Sequence, residues 1–171
     1  MKMILAPLDF SNATPGVVDE AANLARAIDG HVVLLHVVWV PQAELRYATE
    51  IASLQARSAI EAAAEQQLAK IKEDLRARGI TAHMLCLLGE PSTKIVEQAE
   101  KLAVDYTVMG SHGHSAFHDL VLGSTTNAVI KRSKRVVVVV PVPKETARPP
   151  RSGILRRSSA RGPRARQPAS L

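Results

Sequence analysis

The chain of 171 residues has a single cysteine, Cys86, so an intramolecular disulfide and a cysteine-rich zinc site are both excluded. Aromatic residues make up only 3% of it, which leaves Val, Leu, Ile and Ala to build a core. No apolar run reaches the roughly 18 to 20 residues that spanning a bilayer requires. The first residues, MKMILAPLDF, meet the acidic Asp9 before a signal-peptide core could develop. The expectation is a soluble protein that stays in the cytoplasm.

The length suits one well-buried core and is short for two. A formal net charge of +6 invites a nucleic-acid reading until it is divided along the chain. Residues 1–140 carry 14 Lys and Arg against 15 Asp and Glu, a net −1, while 141–171 carry 8 against 1, a net +7. The tail is therefore the basic object. Two units are expected: one domain over 1–141, and a Pro-, Arg-, Ser- and Ala-rich extension over 142–171 with too little apolar surface to offset its ordering entropy.

KMILAPL (2–8), HVVLLHVV (31–38), TAHMLCLL (81–88), VDYTVMG (104–110) and RVVVVVP (135–141) are aliphatic or β-branched runs of strand length, each read as a buried strand. Helical periodicity lies between them at about 14–28, 43–78, 92–102 and 125–131. Strands apolar on both faces and alternating with helices predict a doubly wound α/β sandwich with a parallel sheet. Right-handed crossovers then place every strand's carboxyl end on one edge, where such sheets bind ligands, so the loops after Leu8, Val38, Leu88 and Met109 matter most.

The last of these loops is MGSHGHSAFHDLVLGSTT (109–126). Gly110 and Gly113 directly follow a predicted strand, and Gly123 and Ser124 directly precede a predicted helix, with Ser124 as its expected N-cap. The first N–H groups of that helix, from Thr125 onward, lack intrahelical acceptors and stand at the positive end of its dipole, which suits an anion. The stretch contains neither G-x-x-x-x-G-K-[ST] nor G-x-G-x-x-G, so the Walker loop and the dinucleotide fingerprint are excluded. It holds no lysine or arginine, and so little charge to stabilise a transferring phosphoryl group.

The spacing G-x2-G-x9-G-[ST] after a strand, together with PLDFS (7–11) closing the first strand, resembles the ATP-binding branch of the universal stress protein family over residues 2–141. The resemblance implies an open five-stranded parallel sheet sandwiched by helices, Rossmann-like and of the adenine-nucleotide α-hydrolase kind, with strand order 3-2-1-4-5. It also implies a homodimer and bound ATP with Mg or Mn. Carried over by position, Asp9 would bind the ribose hydroxyls with Pro7 and Leu8 as wall, and the Val37 main chain would meet the adenine edge. Met109 and Gly110 would floor the ribose, and Gly113, Gly123, Ser124, Thr125 and Thr126 would cradle the triphosphate. Pairing of the Val136 to Val140 strand with its copy in a second subunit is implied as well.

Alternatives stand beside several of these. Asp9 is also placed to cap the first helix, and the glycines could be turn formers alone. His112, His114 and His118 with Asp119 are read as solvated loop residues, one touching phosphate, rather than a zinc site; His36 is read as a satisfied core histidine. The tail is a solvated extension, an electrostatic contact for nucleic acid or an anionic membrane without aromatic interleaving, or a kinase substrate at Ser158 and Ser159. For the whole, the leading function is a nucleotide-binding regulatory protein acting through conformation or partners, ahead of a slow ATP hydrolase or a nucleotide-free dimeric interaction protein.

Overall fold

A computed structural model describes residues 2–39, 50–112 and 122–141, with side chains described from residue 55 in the second stretch. The expected helix start at 43–49, Gly113, His114, His118, Asp119 and the tail from 142 lie outside the described residues. The elements are β1 (Lys2–Pro7), α1 (Thr14–Ala27), β2 (Gly30–Val38), α2 (Glu50–Ala77), β3 (Ala82–Leu88), α3 (Pro91–Lys101), β4 (Tyr106–Gly110), α4 (Ser124–Arg132) and β5 (Val136–Val140). All four pairings are parallel, and the strand order is β3-β2-β1-β4-β5.

The sheet is sealed on both faces. Ile4 and Leu5 are neighbours on β1, point to opposite sides and are both fully buried. On one side Ile4, Val32 and Val108 meet Val17 and Ala21 of α1 and Leu68 and Leu75 of α2. On the other, Leu5, Leu35 and Met109 meet Ile95 and Ala99 of α3 and Val129 of α4. The expectation of five buried strands is corrected at the rims. β3 and β5 are the outermost strands and only partly buried, with Val136 57% exposed. A rim strand has a neighbour on one side alone, which a run of five valines cannot reveal.

Helix ends follow local rules. At the end of α2 the Ile80 N–H donates to the Leu75 carbonyl and the Gly79 N–H to that of Arg76, each at 2.9 Å. With Gly79 at φ +77° this is a Schellman cap, and buried Ile80 seals it against Leu75. The same cap closes α3, where Val104 bonds Ala99, Ala103 bonds Glu100 and the left-handed position is Ala103 at φ +49°. This is why β4 starts at Tyr106 and not at 104: Val104 caps α3, and the Asp105 N–H reaches the Met3 carbonyl at 2.9 Å.

α3 begins on Glu90, whose carboxylate accepts from the N–H groups of Ser92 at 3.0 Å and Thr93 at 2.7 Å. Burial opposes ionisation of this carboxyl, but the hydrogen bonds from Thr93 and Ser92 outweigh it and hold its pKa down to about 2. Glu90→Ala should therefore cost about 1 kcal/mol of stability at neutral pH. A depressed carboxyl stabilises the fold above its ordinary value of 4.5 and loses that contribution as pH falls toward about 2. The gap between wild type and variant in denaturant midpoint should close across that window; a gap constant with pH would refute the assignment.

Candidate functional site

The strand order turns back between β1 and β4. The chain steps outward from β1 through β2 to β3, then crosses to β4 and β5 on the other side. At the carboxyl ends of these strands a crevice of about 880 Å³ opens. Ligands of doubly wound sheets bind at this kind of switch point.

Ten of the eleven residues expected at the site line this crevice: Pro7, Leu8, Asp9 and Val37 from the β1 and β2 ends, Met109 and Gly110 from β4, and Gly123, Ser124, Thr125 and Thr126 from the start of α4. The eleventh, Gly113, lies outside the described residues. Sequence reasoning missed Thr14 and Val17 of α1, Trp39 beyond β2, and Pro91 and Ile95 of α3. The topology pointed to the ends of β2 and β3, but no periodicity distinguishes a crevice wall from core. Trp39, 59% exposed and the only tryptophan, was the available signal: a large apolar side chain left in solvent at a strand end.

The β1 end is fixed from beneath. His36, half-buried and outside the core, donates from Nδ1 to the Leu8 carbonyl at 2.8 Å. It stacks on Phe10 at 4.5 Å between ring centroids, which holds Phe10 at φ 60°. The turn presents the exposed Asp9, whose carboxylate accepts from the Ser11 N–H at 3.0 Å. Asp9 does not cap α1: the N-cap is Ala13 and no side chain bonds it.

Gly110 is required for packing. A Cβ there would stand 2.7 Å from the Ala13 Cβ, so its bare Cα lets α1 close onto β4. Its carbonyl accepts from the Thr126 hydroxyl at 2.8 Å, which leaves only the Thr126 backbone N–H to meet a ligand. The expected N-cap Ser124 is corrected to Gly123, with Ser124 as the first helical residue. Gly123 sits at φ −54° and ψ 148°, open to any residue, and its N–H donates to the Ser111 carbonyl at 2.8 Å.

The two helix starts bordering the crevice differ. At α3, Glu90 supplies its own anion. At α4 no side chain caps the helix, the first carbonyl bond is Asn127 to Gly123, and the N–H groups of Ser124, Thr125 and Thr126 have no acceptor among the described residues. Three donors and a positive dipole end thus open into an otherwise largely apolar crevice, an arrangement that binds anions. His112 is part-buried and lines the crevice: its Nδ1 lies 3.1 Å from Ser111 Oγ, and its Nε2 is buried with no partner among the described residues. Among the described residues no three His, Cys, Asp or Glu side chains are grouped to hold a metal.

A doubly wound parallel sheet with its crevice at the switch point defines an α/β protein of the Rossmann-like class. A family model described as the universal stress protein family matches residues 1–141. The chain is 31% identical over 151 residues to universal stress protein MJ0531 of Methanocaldococcus jannaschii, covering 84% of each. The solved structure of MJ0577 from the same organism matches with a TM-score of 0.73 at 31% identity, over 82% of this chain and 95% of that one. UspA from Lactobacillus plantarum shares the fold at a TM-score of 0.71 and 23% identity, over 81% and 97% of the two chains. The chain belongs to the universal stress protein family.

Gly110→Ala should cost about 1 to 3 kcal/mol through overpacking against Ala13. Gly110→Ala combined with Ala13→Gly should recover most of that loss in thermal unfolding. Additive losses in the double variant would refute the close approach.

Proposed function

We propose that the chain is a regulatory binding protein that holds an adenine nucleotide, ATP with Mg or Mn, in this crevice. The observation that carries the reading is that Ser124, Thr125 and Thr126, whose N–H groups have no acceptor among the described residues, line the crevice at the switch point. Phosphates would sit there, with Gly113 and Gly123 in the same loop. Asp9 would take the ribose hydroxyls, because a carboxylate accepts from two vicinal hydroxyls at once, with Pro7 and Leu8 as wall and Met109 and Gly110 as floor. The base would lie toward Val37. Asp9 is the only carboxylate among the described lining residues, so Mg or Mn would arrive on the phosphates and not in a protein cage.

Proteins of this fold have been solved with related ligands. One universal stress protein, at a TM-score of 0.59 and 23% identity, is in complex with cAMP. Another, from Archaeoglobus fulgidus, at 0.56 and 20%, is in complex with dAMP. They share the fold, and the reading for this chain rests on its own crevice.

Binding is favoured over hydrolysis, since neither residues 109–126 nor the described lining residues include a lysine or arginine to neutralise a transferring phosphoryl group. Nucleotide occupancy has a path to the sheet rim: the Ser111 N–H donates to the Val140 carbonyl at 2.8 Å, joining the phosphate loop to β5. β5 is the edge through which two copies would pair, which would also cover its exposed Val136. No helix among the described residues is long and apolar enough to cross a membrane, and residence in the cytoplasm is part of the same reading.

Titration of ATP with Mg, followed by Trp39 fluorescence and by calorimetry, should show saturable binding; none at millimolar ATP overturns the reading. Ser124→Pro removes one donor at a helical position that tolerates proline, after a residue already extended. Affinity should fall about tenfold, with thermal stability unchanged. Sedimentation should return twice the 18.4 kDa chain mass, and a monomer at micromolar concentration would remove β5 pairing.

A further inference from the structure

The amino edge of the sheet, opposite the crevice, carries a further cleft. Where α2 ends and β3 begins, a space of about 520 Å³ is lined by Lys72 and Arg76 of α2, by Thr81 before β3 and by Ala82 and His83 within it. Lys72 and Arg76 bring two full positive charges to it, and no carboxylate is among its lining residues. The two lie four residues apart on α2 and so on one face, an arrangement of like charges that destabilises a helix. Elsewhere Lys2 pairs with Asp105, Arg78 with Asp19, Lys94 with Glu97 and Lys134 with Glu100, whereas Lys72 and Arg76 have no carboxylate partner among the described residues.

Backbone donors accompany the charges. The Thr81 carbonyl accepts from the Val32 N–H at 3.0 Å, while the Thr81 N–H has no acceptor among the described residues. Because β3 is the outermost strand and Val32 stands opposite Ala82 in the parallel ladder, the Ala82 N–H is directed away from β2 toward the open rim. The opposing influence is the carboxyl end of α2, where the helix dipole is negative. There the Schellman cap already occupies the Leu75 and Arg76 carbonyls, and Asp74 is engaged with Arg78 at 3.4 Å. His83 is exposed, and its ring stands edge-on to that of His31 with centroids 5.8 Å apart.

We propose that this cleft is a second binding site, for a small molecule carrying a phosphate or pyrophosphate group. The Arg76 guanidinium offers a fork of N–H donors that matches phosphate oxygens, and the Lys72 ammonium adds a point charge. The N–H groups of Thr81 and Ala82 are neutral donors beside them. The space is of small-molecule size and more than a single phosphate fills, so the anionic group would be borne by a larger molecule. An anion between Lys72 and Arg76 relieves their mutual repulsion, and binding draws on that gain. The inference is independent of the nucleotide reading, since the cleft and the crevice share no lining residue and stand at opposite ends of the strands.

The test titrates inorganic pyrophosphate into the full chain at low salt and follows backbone amide resonances. In wild type the amides of Thr81, Ala82 and His83 should shift saturably. Lys72→Gln and Arg76→Gln should each weaken that response about tenfold, and Arg76→Lys, which keeps the charge, should weaken it less. Lys70→Gln removes the same charge from an exposed α2 position outside the cleft lining and should leave the response unchanged. Without pyrophosphate, Lys72→Gln and Arg76→Gln should unfold no earlier than wild type, because each ends a like-charge pairing. Silence of residues 81–83 at millimolar pyrophosphate overturns the site. An equal loss in Lys70→Gln, Lys72→Gln and Arg76→Gln overturns it as well, since that is the response of a basic surface without a built cleft. Shifts confined to Ser124, Thr125 and Thr126 overturn this inference and leave the nucleotide reading standing.

Discussion

Gly110 and Ser111 join four elements at the carboxyl end of β4. A side chain at Gly110 would drive into Ala13, so its absence sets how near α1 lies. The Gly110 carbonyl holds Thr126 and with it the first turn of α4. Ser111 bonds β5 through Val140 and the N-cap of α4 through Gly123. Remove this close approach and the crevice loses its floor, the free N–H groups lose their aim, and β5 loses its connection to the loop. The glycine expected to serve a ligand thus serves packing first, and the site follows from the packing.

Electrostatically, the crevice works with partial charges. The start of α3 is neutralised by Glu90, whose carboxylate is held ionised by the same kind of N–H groups that α4 leaves open. A site built from backbone dipoles offers an anion partial charge without the fixed cation that phosphoryl transfer needs, which is why binding is proposed ahead of hydrolysis.

Much of the fold was legible because a parallel sheet covered on both faces leaves unbroken aliphatic runs separated by helical periodicity. Among the described residues, four helices and five strands stand where the runs placed them, with ends displaced by a residue or two, as at Val104 where a cap intervenes; the start expected at 43 lies outside those residues. The crevice residues were legible at Met109 and Gly110, at Gly123 to Thr126 where glycine and hydroxyl spacing betrays a loop, and at Asp9 after a strand. Thr14, Pro91 and Ile95 were not, since a helix residue beside a crevice reads like any other. The runs alone did not show the exposure of β3 and β5, because a strand's place in the sheet depends on partners far along the chain; only the order implied by the family resemblance put both at the rims.

By itself the sequence determined the periodicities, the nearly neutral charge of residues 1–140 and the loop chemistry that carries the family resemblance. Those are local properties, set by side-chain volume, backbone freedom and spacing. Only the tertiary structure decided that Gly123, and not Ser124, caps α4, that Thr126 spends its hydroxyl on Gly110, and that His36 meets the Leu8 carbonyl. The reason is physical: a hydrogen bond forms or fails by tenths of an ångström, and which groups meet at that distance is fixed by the docking of helices on the sheet.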